Sequence, residues 1–509
     1  MNVLERHPYT PDVTFDGEDL NCGNGLLLQI RQNIDPMPRG GLLEIKSIEP
    51  SVEEDLAAWC RLTGNELVSF TKKGEARSYL VCKGALSERG QKSSSATVTA
   101  PAARRKVEVV IPKTLPAPAP APQIAPFSVM GIGSWPRPTW LIKALHDQLE
   151  HRITPQEFDE AANDAVRLSV AAQVRAGVDV VTDGEQRRDN YSSFVGGILD
   201  NCQLIPLTDL LALVDDPEHL RTEMESLDVP AEKVRHPVIY GPLGRTRPLA
   251  VGELEFVKTV TDKPVKVALP GPYLLTRTMW LECLSEKTYA TREELSKDIV
   301  RVLREELHFL LASGAALVQF DEPVLSEVCY TGAKSDRSFM CGALSERGDA
   351  AEELEFAADL VSQVVKGLPA SRIGLHVCRG NWTRDESVAL KGDYRPMLPV
   401  FQKIKGVGTF FLEYCTPRAG DLDVLAEFPK DCRIGLGVVN QKLDRIESVD
   451  DIVAKARQAA KFIAPERLLL VPDCGFATFA DNPLASAKVA EQKLRAMAQA
   501  SKILRAELR

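Results

Sequence analysis

From residue 126 onward, short apolar runs alternate with long stretches of helical periodicity, and this alternation limits the folds open to the chain. The runs are Val129 to Gly133, Val178 to Thr182, Val265 to Leu269, Ala316 to Phe320, Arg372 to His376, Thr409 to Glu413, Arg433 to Val438 and Leu468 to Val471. Strands separated by helices predict a parallel sheet with crossover connections. Eight such units over about 380 residues predict an α/β fold of the (β/α)8 TIM-barrel type. A further run, Pro237 to Tyr240, reads as a hairpin excursion. An open doubly wound sheet is the alternative, but it gathers its polar residues at one crevice. Here polar residues follow nearly every run: Ser134, Asp183 and Glu185, Asp321 and Glu322, His376 and Cys378, Glu413, Asn440, and Cys474. Barrels carry their active sites on that C-terminal rim.

Within Ile373-Gly374-Leu375-His376-Val377-Cys378, the imidazole and the thiol are two residues apart on a strand, so both point the same way. Taken alone, a His-x-Cys pair is a weak signal. Two later runs strengthen it, each delivering another donor at its end: Glu413 after Phe410-Phe411-Leu412, and Cys474 after Val471-Pro472-Asp473. Zinc takes thiolate, imidazole and carboxylate, and a catalytic zinc site keeps one position open. Cys415 shares the face of Glu413 and is a competing candidate, although free cysteine is more often packing.

The formal net charge is -9 with a pI near 5.5, and no basic stripe is present, which argues against a nucleic-acid partner. No run of roughly 18 apolar residues occurs and the first residues lack a signal-peptide core, so a cytoplasmic protein without a membrane partner is expected. Eleven cysteines spread thinly over 509 residues read as reduced thiols rather than a disulfide framework.

Residues 1–86 read as a separate small unit in the order β-α-β-α-β-β. Its strands are Val13 to Phe15, Leu42 to Ile48, Glu66 to Thr71 and Arg77 to Cys82. Its helices are Gly25 to Ile34 and Ser51 to Leu62, the second opened by a capping box at Ser51 and closed at Thr63-Gly64. Cys22 lies just ahead of the first helix, where unpaired N–H groups and the helix dipole favour a thiolate. Residues 87–125, rich in Pro, Ala and Ser, read as a semi-rigid linker, and 126–509 as the barrel.

The small unit resembles the TusA/SirA-like sulfur-carrier family through Leu20-Asn21-Cys22 and the stretch from Asp55-Leu56-Ala57-Ala58-Trp59 to Thr63-Gly64-Asn65-Glu66-Leu67. That resemblance implies that Cys22 is catalytic and carries persulfide sulfur. The family's Cys-Pro-x-Pro is Cys22-Gly23-Asn24-Gly25 here. Residues 126–509 resemble the catalytic half of cobalamin-independent methionine synthase. The matching motifs are Ile132-Gly133-Ser134-Trp135-Pro136, Asp183-Gly184-Glu185, Thr261-Asp262-Lys263-Pro264-Val265-Lys266, Gln319-Phe320-Asp321-Glu322-Pro323, His376-Val377-Cys378 and Pro472-Asp473-Cys474-Gly475.

This second resemblance implies zinc held by His376, Cys378, Glu413 and Cys474. It also implies a homocysteine-like thiol held by Ile132, Gly133, Ser134, Glu185 and Asp321, with Asp321 taking part in catalysis. A thiol entering the open zinc position loses its proton at neutral pH, because the metal stabilises thiolate better than water does. The expected reaction is therefore methyl transfer to a thiol, homocysteine to methionine, from a methylated folate, a corrinoid or another methyl donor. Lys442 stands where the family has a proton-donating histidine, and lysine donates poorly at pH 7 unless burial lowers its pKa. Thr278, with Trp280 close by, stands at a folate-stacking tryptophan position. Two rival readings remain: a zinc lyase or transferase joining a thiol to another electrophile, and a sulfur-transfer protein in which Cys22 carries persulfide sulfur for a sulfur-relay partner; a corrinoid protein would be a partner only as the methyl donor.

Overall fold

The computed structural model describes residues 3–17, 26–89, 114–149, 152–206, 234–280, 288–331, 349–381, 383–480 and 484–508. Cys22 lies outside the described residues, and so does the start expected for the first helix.

The small unit contains strands β1 (Val3–Leu4), β2 (Val13–Asp16), β3 (Leu42–Ser47), β4 (Glu66–Lys73) and β5 (Ala76–Cys82). They form one sheet in the order β1-β4-β5-β3-β2. The expected hairpin is β4–β5, with Phe70 opposite Tyr79 and their rings stacked at 4.9 Å. Strand β1 was not anticipated; two residues carry too little pattern to be read, and pairing with Phe70 and Thr71 of β4 creates it. Helices Leu26–Ile34 and Val52–Thr63 close one apolar core, in which Leu26, Ile30, Ile34, Val52, Leu56 and Trp59 meet Leu43, Ile45 and Val81. Gly64 ends the second helix in the left-handed conformation. The capping box at Ser51 is not formed. Ser51 already has helical backbone angles and no side-chain cap bond, and its N–H donates to Glu49 instead.

Strands β6 (Asp200–Pro206) and β7 (Arg235–Gly244) pair antiparallel, which gives the Pro237 to Tyr240 run its hairpin. The central sheet contains β8 (Lys266–Pro270), β9 (Leu317–Asp321), β10 (Ile373–Val377), β11 (Thr409–Leu412), β12 (Arg433–Val439) and β13 (Leu468–Pro472). It runs in the order β13-β12-β11-β10-β9-β8, and every neighbouring pair is parallel. Nearly every residue in these strands is buried, as expected of a parallel sheet covered on both faces.

The first two expected strands are present as single bridges, Val129 to Leu470 and Val181 to Val265. Side chains add to the backbone bonds of these bridges. Asp179 Oδ2 accepts the Val129 N–H at 2.8 Å, Thr182 Oγ1 donates to the Gly133 carbonyl at 2.8 Å, and Gln173 engages both backbone groups of Thr182. Gln173 belongs to the helix Pro155–Ala176, which opens with a full capping box at Thr154 and ends at Gly177 with φ of 88°.

Apolar side chains form two clusters around the strands. Met130, Ile132, Val180, Leu317, Phe411, Leu469 and Val471 make the inner one, while the larger packs strands against helices. Phe411 fills space left by two glycines, since a Cβ on Gly374 or Gly435 would strike its ring. The described end of the Pro/Ala linker lies on the helical shell, where Ala119 donates to Leu311 O and accepts from Arg372 Nη1. Among the described residues no helix is long and apolar enough to cross a membrane.

Candidate active site

Polar residues collect where the central strands end, because there the backbone leaves the ladder and side chains gain room. Asp321 closes β9, His376 is the fourth residue of β10 with Cys378 just beyond it, Glu413 follows β11, and Cys474 lies two residues past β13. The structure brings His376, Cys378 and Cys474 together, with one donor atom from each lying within 4.8 Å of the others. His376 Nδ1 lies 3.3 Å from the Phe411 carbonyl, a contact that assigns its proton to Nδ1. Nε2 is buried without a partner, as a ligand nitrogen would be.

The two thiols are shifted in opposite directions. The Cys474 thiol, with help from His376, holds Cys378 well below the usual thiol range despite burial. Cys474 itself is pushed up by that same partner and by burial. Burial opposes protonation of His376, but the neighbouring Cys378 outweighs it and raises the imidazole. Two thiols and an orphaned imidazole nitrogen at this spacing fit a tetrahedral N/S metal centre with a position open.

Glu413 stands beside this cluster rather than in it. Oε1 accepts the Arg379 N–H at 2.9 Å and the Asn381 amide, and Oε2 accepts from Arg418 Nη2 at 3.0 Å. A buried carboxylate needs such partners, and the segments after β10 and β11 supply them. Cys415 also departs from a ligand role: its Sγ faces Glu447 Oε1 at 3.9 Å.

A pocket opens over the cluster, and Ile132, Ser134, Glu185, Asp321, His376, Cys378 and Cys474 all line it. Burial raises Glu185 to about 7, and Oε2 has no partner. Its backbone has φ of 54° directly after Gly184 at 76°, a left-handed pair uncommon for a non-glycine residue. The Glu185 N–H donates to Asp183 Oδ1 at 3.0 Å and Arg137 Nη2 to the Glu185 carbonyl at 2.7 Å, which hold that conformation. Asp321 is raised to about 6, again by burial first. Ser134 Oγ accepts the Ala477 N–H at 3.2 Å and keeps its own proton to donate.

Glu322, a further candidate for a substrate ammonium, is committed elsewhere. Its carboxylate accepts the N–H groups of Tyr273 and Leu274 at 2.7 and 2.9 Å, capping the helix Pro272–Thr278. Thr278 is the last residue of that helix and Trp280 lies two residues beyond it; both are buried. Lys442 is only 2% exposed and its Nζ has no partner. Burial and the nearby Arg418 lower its amine to about 8, against the pull of Glu413, Cys474 and Cys378. The sequence reasoning missed Tyr191, Asn381, Thr478 and Phe479, which complete the pocket wall. They sit in irregular loops, where no periodicity marks a side chain's direction.

The methionine synthase of Thermococcus kodakarensis is 28% identical over 386 residues, covering 76% of this chain and 95% of the relative. That of Saccharolobus solfataricus is 26% identical over 380 residues, covering 74% and 95%. The structure of a B12-independent methionine synthase from Shewanella sp. W3-18-1, in complex with selenomethionine, aligns with a TM-score of 0.57. Its identity is 22%, and the alignment covers 75% of this chain and 99% of that one. At that identity the likeness speaks for the fold. Residues 127–347 and 396–502, more than half of the chain, match the family described as cobalamin-independent synthase, catalytic domain, and the chain belongs to that family.

Proposed function

We propose that this chain is an S-methyltransferase of the methionine-synthase type, moving a methyl group from a donor to homocysteine. One observation carries the reading: the His376, Cys378 and Cys474 cluster and the carboxylates of Glu185 and Asp321 open into the same pocket. A thiol amino acid has both ends to satisfy, and the pocket offers a group for each. Glu185 and Asp321 take the ammonium, Ser134 Oγ donates to the carboxylate, and Ile132, Pro323 and Phe479 line the apolar stretch between. The relatives' name and the selenomethionine in the Shewanella complex support an amino acid with a chalcogen side chain as the ligand.

His376, Cys378 and Cys474 would hold a zinc ion, with Glu413 as a fourth ligand once it leaves Arg418 and Asn381. Zinc bound there would lower the pKa of an arriving thiol so that it reacts as thiolate. The thiolate sulfur forms the new bond to the methyl carbon, and the donor departs with the electron pair of the broken bond. Lys442 is the group to protonate the departing donor, and a pKa of about 8 leaves much of it charged at neutral pH.

The fold that carries this chemistry is proposed to be a closed (β/α)8 barrel over residues 126–509. The Val129 and Val181 bridges extend both ends of the six-stranded sheet, and Asp179 N donates to Val129 O at 2.9 Å between them. The N-terminal unit is proposed to be a TusA/SirA-like module over residues 1–86, joined by a linker at 87–125; two helices on one mixed sheet support it.

The test is to measure bound zinc and methyl transfer to homocysteine in one preparation. About one zinc per chain together with transfer supports the proposal. Folded, zinc-free protein that also takes up no added zinc would refute it.

A further inference from the structure

Lys266 is linked to the pocket carboxylate Asp321 through Gln319. Its Nζ donates to Gln319 Oε1 at 2.7 Å, and Gln319 Nε2 donates to Asp321 Oδ1 at 2.7 Å. All three side chains are buried, at 1%, 0% and 5% exposure. Lys266 Nζ also lies 4.6 Å from the centre of the Phe411 ring, a face that attracts a cation. The ring is held against Gly374 and Gly435, so the ammonium rests on a fixed surface.

We propose that Lys266 is a positioning residue that sets the direction of the Gln319 amide and thereby aims Asp321 at the substrate ammonium. Burial lowers Lys266 to about 7, so below that value it is an ammonium with three donors and no acceptor, and Gln319 then presents Oε1 to it. The amide then has only Nε2 left for Asp321, which must accept with Oδ1. Oδ2 is thereby left for the pocket. Without the ammonium the amide can turn over, and Oε1 would face a carboxylate it cannot bond unless Asp321 is protonated. The inference rests on the proposed amino-acid site.

Zinc-loaded wild type, Lys266→Met and Gln319→Leu should be titrated by calorimetry with L-methionine and with its des-amino analogue, 4-(methylthio)butanoate. Zinc content and thermal midpoint are measured alongside. We expect both variants to lose about tenfold in methionine affinity while their affinity for the des-amino analogue stays within about twofold of wild type. Equal losses for both ligands would mean that Lys266 only packs the interior, and would overturn the inference. Unchanged preference for methionine would overturn it too. Wild type that binds neither ligand would instead refute the amino-acid pocket, and the relay along with it.

Discussion

A methyl group on Gly133 would collide with Glu185 Oε1, so the glycine and the carboxylate form one feature built from two separate loops. Gly133→Ala should push the carboxylate aside while leaving the sheet intact. Methionine affinity is expected to fall about tenfold to a hundredfold. Calorimetric titration beside a thermal melt checks this; a weakened ligand with an unchanged midpoint is the expected result.

Glu185 also predicts a pH dependence of stability. Its folded value of about 7 stands above the ordinary 4.5, so between these the folded chain keeps a proton that the unfolded chain has released. Its contribution is complete below about pH 4.5 and is lost as the pH rises through about 7. Glu185→Gln needs no proton and should remove that loss. Near pH 8 the ligand-free variant should be more stable than wild type by on the order of 1–3 kcal/mol, with the gap closing toward pH 4. Urea unfolding at the two pH values measures it. A gap that does not change with pH would count against a strained, buried carboxylate.

The metal centre makes the plainest prediction. Cys378→Ser and Cys474→Ser should each reduce bound zinc from about one per chain to well below that, with methyl transfer lost in parallel. Glu413→Gln should be milder, because the structure shows that carboxylate bonded to Arg418 and Asn381 rather than in the donor cluster. Elemental analysis of dialysed protein tests all three.

Lys442 should impose an alkaline limb on the rate. An amine near 8 supplies a proton below that value and not above it, so turnover should decline as the pH rises through about 8. Lys442→His should move the limb down by about one to two units, and Lys442→Met should cost roughly a hundredfold or more. Transfer rates measured from pH 6 to about 9.5 decide the matter. A limb that stays in place in Lys442→His would assign the proton to another group.

Much of this is legible in the amino-acid sequence. The strand runs from Val265 onward and the His376-x-Cys378 spacing follow from local rules, because a side chain's face in a strand depends only on counting by two. Hydrophobic burial then makes the runs coincide with the sheet. Other features depended on where distant segments meet. The segments at Val129 and Val181 pair by single bridges, and the Asp179 and Gln173 side chains accept the Val129 and Thr182 N–H groups. Ser51 looked like a cap but is already helical. Glu322 and Asp321 are neighbours of like charge, yet one caps a helix while the other faces the pocket.

Local pattern is enough to name the residue types that can do the chemistry and the strands that present them, because periodicity and donor chemistry are properties of neighbouring residues. Which donors share a centre, which carboxylates are spare, and how far Lys442 and Glu185 are shifted from their ordinary values follow from the packed fold. Those outcomes depend on burial and on partners tens or hundreds of residues away, and no local pattern encodes either.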